Sequence, residues 1–174
     1  MSTYPTIRAG TRLTASLLNN SLPIYVQKAS DQAVASSTTN VNDLELLAPV
    51  ETDAIYLVRG MLLYSARTDT DIKIGWTGPA SATFDWIAHA QSQDGTGGLA
   101  GSGVVVDRQS IGNTSFPLGG FGAETTTVMT APFWGRMVTS SVAGNLQLNW
   151  AQRVSNATGS IMRAGSWLEL KRVA

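Results

Sequence analysis

From Ile24 onward, apolar and polar positions alternate with a period of two, the spacing at which a strand shows one face to a core and the other to solvent. Asn145-Leu146-Gln147-Leu148-Asn149-Trp150 is the cleanest case, with Leu146, Leu148 and Trp150 inward. In Asp71-Ile72-Lys73-Ile74-Gly75-Trp76, positions 72, 74 and 76 face one way and Asp71 and Lys73 the other. Phe84, Trp86 and Ala88 alternate with Thr83, Asp85 and Ile87, and Leu168 and Leu170 with Glu169 and Lys171. Leu44 and Leu46 share a face across Glu45, and Ile24–Lys28 and Gln32–Ser36 read as weaker strands. Tyr56 to Tyr64 is a long strand with a bulge expected at Gly60, and Pro132 is expected to break the stretch from Thr125 to Ser141. Thr77–Ala80, Ala143-Gly144 and Asn156–Gly159 carry turn chemistry. Short strands between turns predict an all-β chain, an antiparallel β-sandwich of jelly-roll-like form with about eight strands.

The segment before Ile24 follows a different pattern. Pro5 and Gly10 predict an extended N-terminal arm. Thr14 has the chemistry of an N-cap, Ala15 to Leu22 can make about two helical turns, and Pro23 stops them. Leu18 and Leu22, four apart, share a face beside Leu17. A helix this short is marginal alone and must pack on its own body or on a neighbour. The expected division is therefore an attachment segment over residues 1–30, with the arm and one short helix, and a sandwich body over 31–174. Leu13, Leu17, Leu18 and Leu22 are the candidate partner-binding residues.

Composition narrows the function classes. Charged residues make up only 14% of the 174, below the roughly 25% usual in soluble domains, and Ser, Thr and Gly replace them. Such a surface suits faces that meet copies of the chain or a partner, and small β proteins in general share it. Twelve basic residues balance twelve acidic ones and are scattered, so no nucleic-acid footprint is visible. Lys171-Arg172 reads as a solvated strand end. The chain contains no cysteine, which removes disulfides, thiolate metal sites and cysteine nucleophiles and fits folding in a reducing cytoplasm. No signal-peptide pattern and no run near the ~20 apolar residues of a membrane span occurs, so no membrane insertion is expected.

No residue set predicts catalysis. His89 is the single histidine, and no G-x-S-x-G elbow accompanies it. Asp69 and Asp71, alternating on one strand face with Asp85 conceivably near, could offer oxygen ligands to Ca²⁺, but alternating acids ordinarily face water, and neither a metal nor a cofactor is expected. Asp94 to Gly103 is a glycine-rich loop without the ending of a phosphate cradle; it reads as an exposed loop or a receptor or subunit contact. Trp76, Trp86 and Trp150 belong to the core by their alternation. Trp134, between Pro132-Phe133 and Gly135-Arg136, is ambiguous: core packing is the ordinary reading, and exposure, with stacking on a sugar or a receptor, is the alternative.

Two stretches resemble a known group. Ile7-Arg8-Ala9-Gly10-Thr11-Arg12-Leu13-Thr14-Ala15-Ser16-Leu17-Leu18-Asn19 is similar to the "aGq.lTA..lN" segment of many phage and prophage virion proteins, and Ile161 to Leu170 to their "aGS.L.l.r" closing strand. Asp71–Trp76 and Leu148–Gln152 also resemble proteins of actinobacterial phages. The resemblance implies a non-enzymatic virion structural protein, made in the bacterial cytoplasm and displayed on the particle surface. It would be a minor tail or fibre piece or a capsid decoration, assembling as a homotrimer with other capsid or tail proteins. The alternative is a carbohydrate-binding module that recognises host-surface glycans.

Overall fold

The computed structural model describes residues 9–91, 104–105 and 108–174. The Asp94–Gly103 loop and the first eight residues lie outside these. One helix, α1 (Ala15–Ser21), precedes the strands β1 (Ile24–Gln27), β2 (Gln32–Val34), β3 (Val41–Val50), β4 (Ile55–Ser65), β5 (Ile72–Thr77), β6 (Thr83–Ala88), β7 (Ala90–Gln91), β8 (Val104–Val105), β9 (Gln109–Ser110), β10 (Phe116–Leu118), β11 (Met129–Val138), β12 (Gly144–Gln152), β13 (Ser160–Met162) and β14 (Trp167–Arg172). Every strand pairing among them is antiparallel.

The large sheet runs β1-β14-β4-β11-β6-β9, with β13 joining the end of β4 and carrying β2; the small sheet runs β10-β5-β12-β3. The chain changes sheet at nearly every connection from β3 onward. The order β4-β11-β6-β9 in one sheet and β3-β12-β5-β10 in the other is the connectivity of an eight-stranded jelly roll, two interlocked Greek keys. β1 and β14 extend the large sheet beyond β4. The expected sandwich class is observed.

The two sheets are joined by aromatic rings. Trp76 of the small sheet lies 5.0 Å from Phe133 and 5.9 Å from Phe84 of the large one, and Phe116 lies 5.2 Å from Trp86. Trp76, Trp86 and Trp150 are fully buried, as their alternation predicted. Tilted and edge-on arrangements at these distances are the ones the ring quadrupole favours.

Several sequence expectations are corrected. Gly60 makes no bulge: β4 pairs with β11 in unbroken register through Gly60↔Phe133. A Cβ at Gly60 would collide with the Phe133 ring and the Trp167 carbonyl, so glycine is there for close approach from two sides. Pro132 breaks nothing; it lies inside β11 opposite Met61. Its carbonyl accepts from His89 N–H at 2.9 Å. The N and O of one strand residue point to the same side, so the missing donor costs only the return bond of the Pro132–His89 pair, just past the end of β6 at Ala88. Among the described strands the one register shift lies between β12 and β3, where Gln147 faces Leu47 but Asn149 faces Asn42. That irregularity turns Leu44 outward, 79% exposed, and puts Asp43 inside with Leu46. Asp71 does not face water either. It is buried at φ 52, and its carboxylate accepts from Gly120 N–H at 2.8 Å. Arg172 is mostly buried and paired with Glu51 rather than solvated.

The turn after β1 is fastened by acids. Glu45 accepts hydrogen bonds from Ala29 N–H, Ser30 N–H and the Ser30 hydroxyl. The Ser30 hydroxyl, then the Ala29 amide, bring its pKa down from 4.5 to about 2. Asp31 binds Ala164 N–H and Arg163, which hold its carboxyl below its ordinary value. A carboxylate depressed in the folded state contributes stability above its unfolded pKa and loses it as pH falls toward the folded value. The melting temperature is expected to fall progressively between pH 4.5 and 2, and Glu45→Gln to flatten that decline in a thermal-denaturation series. A slope unchanged by Glu45→Gln would remove Glu45 from the account.

Candidate functional site

The surface that combines exposed apolar area with charge is the outer face of the large sheet. In β11, Ala131, Phe133 and Met137 face the core, so Trp134 and Arg136 face out. Gly135 between them follows the inward alternation, and a Cβ there would collide with Phe84, so the core ring presses against bare backbone beneath this site. Register builds two rows across the face. One reads Tyr25, Glu169, Arg59, Trp134, Ile87; the next reads Lys171, Leu57, Arg136, Asp85, Ser110.

A cleft of about 710 Å³ lies over the middle of these rows, with Trp134, Leu57, Ile87 and Arg136 among its walls. Arg59 makes a two-point contact with Glu169, Nε to Oε1 at 3.0 Å and Nη2 to Oε2 at 3.2 Å, which holds the guanidinium above its ordinary pKa. Arg108 pairs with Asp85 at 2.7 Å. Arg59, Arg108 and Asp85 are half exposed or more while Glu169 is mostly covered, so solvent screens both pairs in part and they orient side chains more than they stabilise the fold. Trp134 is 43% exposed, and its ring lies 4.7 Å from that of His89. At one end of the row, Tyr25 stacks on Trp167 at 5.9 Å.

The sequence candidates fall into two places. Leu13, Leu18 and Leu22 are about half exposed or more, and Leu17 is half-buried. Thr14 caps α1 as expected, its hydroxyl accepting from Leu17 N–H at 3.2 Å. Trp134 is exposed in the centre of the large sheet. Its partners in the cleft carry no local signal, because they come from strands far apart in sequence, Arg59 and Glu169 being separated by 110 positions. His89 contacts Trp134 and has neither nucleophile nor acid beside it among the described hydrogen bonds. Asp69, Asp71 and Asp85 do not converge: Asp69 holds Arg67 in a turn, Asp71 is buried against Gly120, and Asp85 holds Arg108 on the outer face. The expected shared strand face for Asp69 and Asp71 is thus overturned, because both precede β5 in an irregular turn. Among the described residues no group of three His, Asp or Glu could hold a metal, and no helix is long and apolar enough to cross a membrane.

No family model and no curated protein matches the chain. Among solved structures it shows a weak likeness to the infectious bursal disease virus VP2 subviral particle, at 12% identity over 87% of this chain and 39% of that one, with a TM-score of 0.22. A structure of the Gt strain of the same virus gives 11% identity, 87% and 41% coverage and a TM-score of 0.22. The chain spans about two fifths of the length of those viral proteins.

Proposed function

We propose that this chain is a non-enzymatic structural protein of a phage particle, attached through a segment within residues 1–30 and displaying its jelly-roll body on the particle surface as a homotrimer. The attachment point is another virion protein, in the tail or on the capsid. The observation that carries the reading is α1, a formed and capped helix that, with its flanks, leaves Leu13, Leu18 and Leu22 about half exposed or more. Seven residues fall well below the roughly 12–15 at which an isolated helix holds itself together. Leu17 is half-buried and Leu13, Leu18 and Leu22 are about half exposed or more, so most of the apolar surface of the segment is left for a neighbour.

Magnitudes favour several copies acting together. Full burial of a leucine gains about 1.5–3 kcal/mol, so three that start half exposed gain on the order of 2–4 kcal/mol. Association costs about 4–15 kcal/mol, more than one such helix returns. Symmetric copies joined through their bodies turn later attachments into intramolecular events. The charge-poor, hydroxyl-rich composition is compatible with bodies that meet one another.

The test is removal of residues 1–22. The shortened chain is expected to stay soluble and to melt within about 3 °C of the full chain, since none of the described residues 9–22 belongs to the core. It is also expected to be missing from particles purified from infected cells. Leu18→Glu with Leu22→Glu should reproduce the loss without truncation. Normal incorporation of either variant would overturn the attachment reading.

A further inference from the structure

The cleft on the outer face of the large sheet has a composition that selects a ligand class. Its volume of about 710 Å³ lies within the roughly 300–1,000 Å³ of small-ligand sites. Trp134, Leu57 and Ile87 give it apolar walls, and Trp134 stays 43% exposed with the tilted His89 ring beside it. Its charges are unequal. Arg59 and Arg108 are neutralised by Glu169 and Asp85, whereas Arg136 and Lys171 form no ion pair with any described residue. Four cations against two carboxylates leave the cleft a net charge of +2. The two unpaired cations flank Leu57 in one row, with Trp134 in the adjacent row.

We propose that this cleft binds an acidic polysaccharide, one sugar ring stacked on Trp134 and its carboxylate held by Arg136 and Lys171. The apolar face of a pyranose matches an exposed indole, and a guanidinium takes a carboxylate through two parallel hydrogen bonds. The Arg59–Glu169 and Arg108–Asp85 pairs offer fixed donors and acceptors to the ring hydroxyls. The face continues along the row to Tyr25, three strand spacings or about 14 Å from Trp134, so an extended chain could lie across it. A second copy of this chain fits less well, because two faces of charge +2 would meet like to like. Nucleic acid fits less well too, since two unpaired cations fall far short of the 6–10 phosphate contacts typical of a binder. This inference goes beyond the particle reading and does not rest on it.

Calorimetric titration of the full chain with oligogalacturonate, beside its fully methyl-esterified form, tests the proposal. The acid form is expected to bind saturably, and the neutral ester at least about tenfold more weakly. Trp134→Ala, and Arg136→Gln with Lys171→Gln, should each lose about tenfold or more, while Trp134→Phe stays within a few fold. All three sites are exposed, and matching circular dichroism would confirm folded variants. Three results would overturn the proposal: no saturable binding of the acid form, equal affinity for acid and ester, or binding that ignores Trp134→Ala. Self-association abolished by Trp134→Ala, with no sugar binding, would replace it with a contact between copies. The readout is the purified chain, so its failure leaves the attachment test untouched.

Discussion

Trp76→Ala is expected to lower the melting temperature by roughly 5–15 °C. The indole sits between the sheets, in ring contact with Phe84 and Phe133, and is wholly buried. Removing a core tryptophan ordinarily costs about 3–5 kcal/mol in lost transfer energy and residual cavity. One feature reduces that figure here: Trp76 Nε1 is buried without a hydrogen-bond partner among the described residues, a standing cost of about 1 kcal/mol that the substitution removes. The net loss of about 2–4 kcal/mol converts at roughly 2–4 °C per kcal/mol for a chain of this length. Trp76→Phe keeps an aromatic ring between the sheets and carries no orphan donor, so it should lose less than half as much. A shift below about 2 °C for Trp76→Ala would show that the aromatic contacts between sheets contribute little, and differential scanning calorimetry decides it.

The residues that make this contact were legible because alternation of large apolar side chains is a local signal. Ile72, Ile74 and Trp76 repeat at period two, as do Phe84, Trp86 and Ala88, and both sets are buried. What failed was every reading in which a local rule met a long-range partner. Spacing puts Leu44 and Leu46 on one face, yet the register shift opposite β12 separates them, and nothing within β3 announces it. Pro132 breaks a strand by the local rule, but its neighbour β6 ends just where a donor would be needed. Asp71 looked like an outward acid until Gly120, 49 positions away, supplied its hydrogen bond.

The candidate site divides in the same way. A proline, a glycine and an arginine around Trp134 set it apart from the strictly alternating tryptophans, but local pattern still favours the core for it, and its exposure comes from its place on the outer face of β11. The cations and acids around it lie on β4, β6 and β14 and just before β9, and only sheet order brings them together. The helix around Leu17 and Leu18 is legible because its Thr14 cap is a local signal, but it ends at Ser21 and leaves Leu22 as an extended C-cap, one residue short of the expected end.

Lys28→Met is expected to cost about 3–5 kcal/mol, the second large effect, through a charge that no pattern reveals. Lys28 is 2% exposed, and its Nζ lies 3.1 Å from Asp43 Oδ1, itself wholly buried. Glu45 Oε1 lies 3.7 Å from the same nitrogen and Gln32 Oε1 at 3.5 Å. The methionine preserves most of the apolar stem, so the loss isolates the ammonium. Asp43 would be left as a buried carboxylate without a counter-ion, satisfied only by Glu45 N–H at 3.0 Å and Leu46 N–H at 2.9 Å, its other oxygen having no described partner. Those two amides are also why Asp43 sits inside: its carboxylate serves the backbone where β3 leaves regular register. Asp43→Asn keeps an oxygen for both amides and removes the charge. The double variant Lys28→Met with Asp43→Asn should therefore be more stable than Lys28→Met alone, with a coupling of about 1–3 kcal/mol between the sites. Urea denaturation of the four proteins of the cycle measures it. Additive losses, or a Lys28→Met cost under about 1 kcal/mol, would mean that the pair is solvated in practice and that the bend of β3 is held by packing alone.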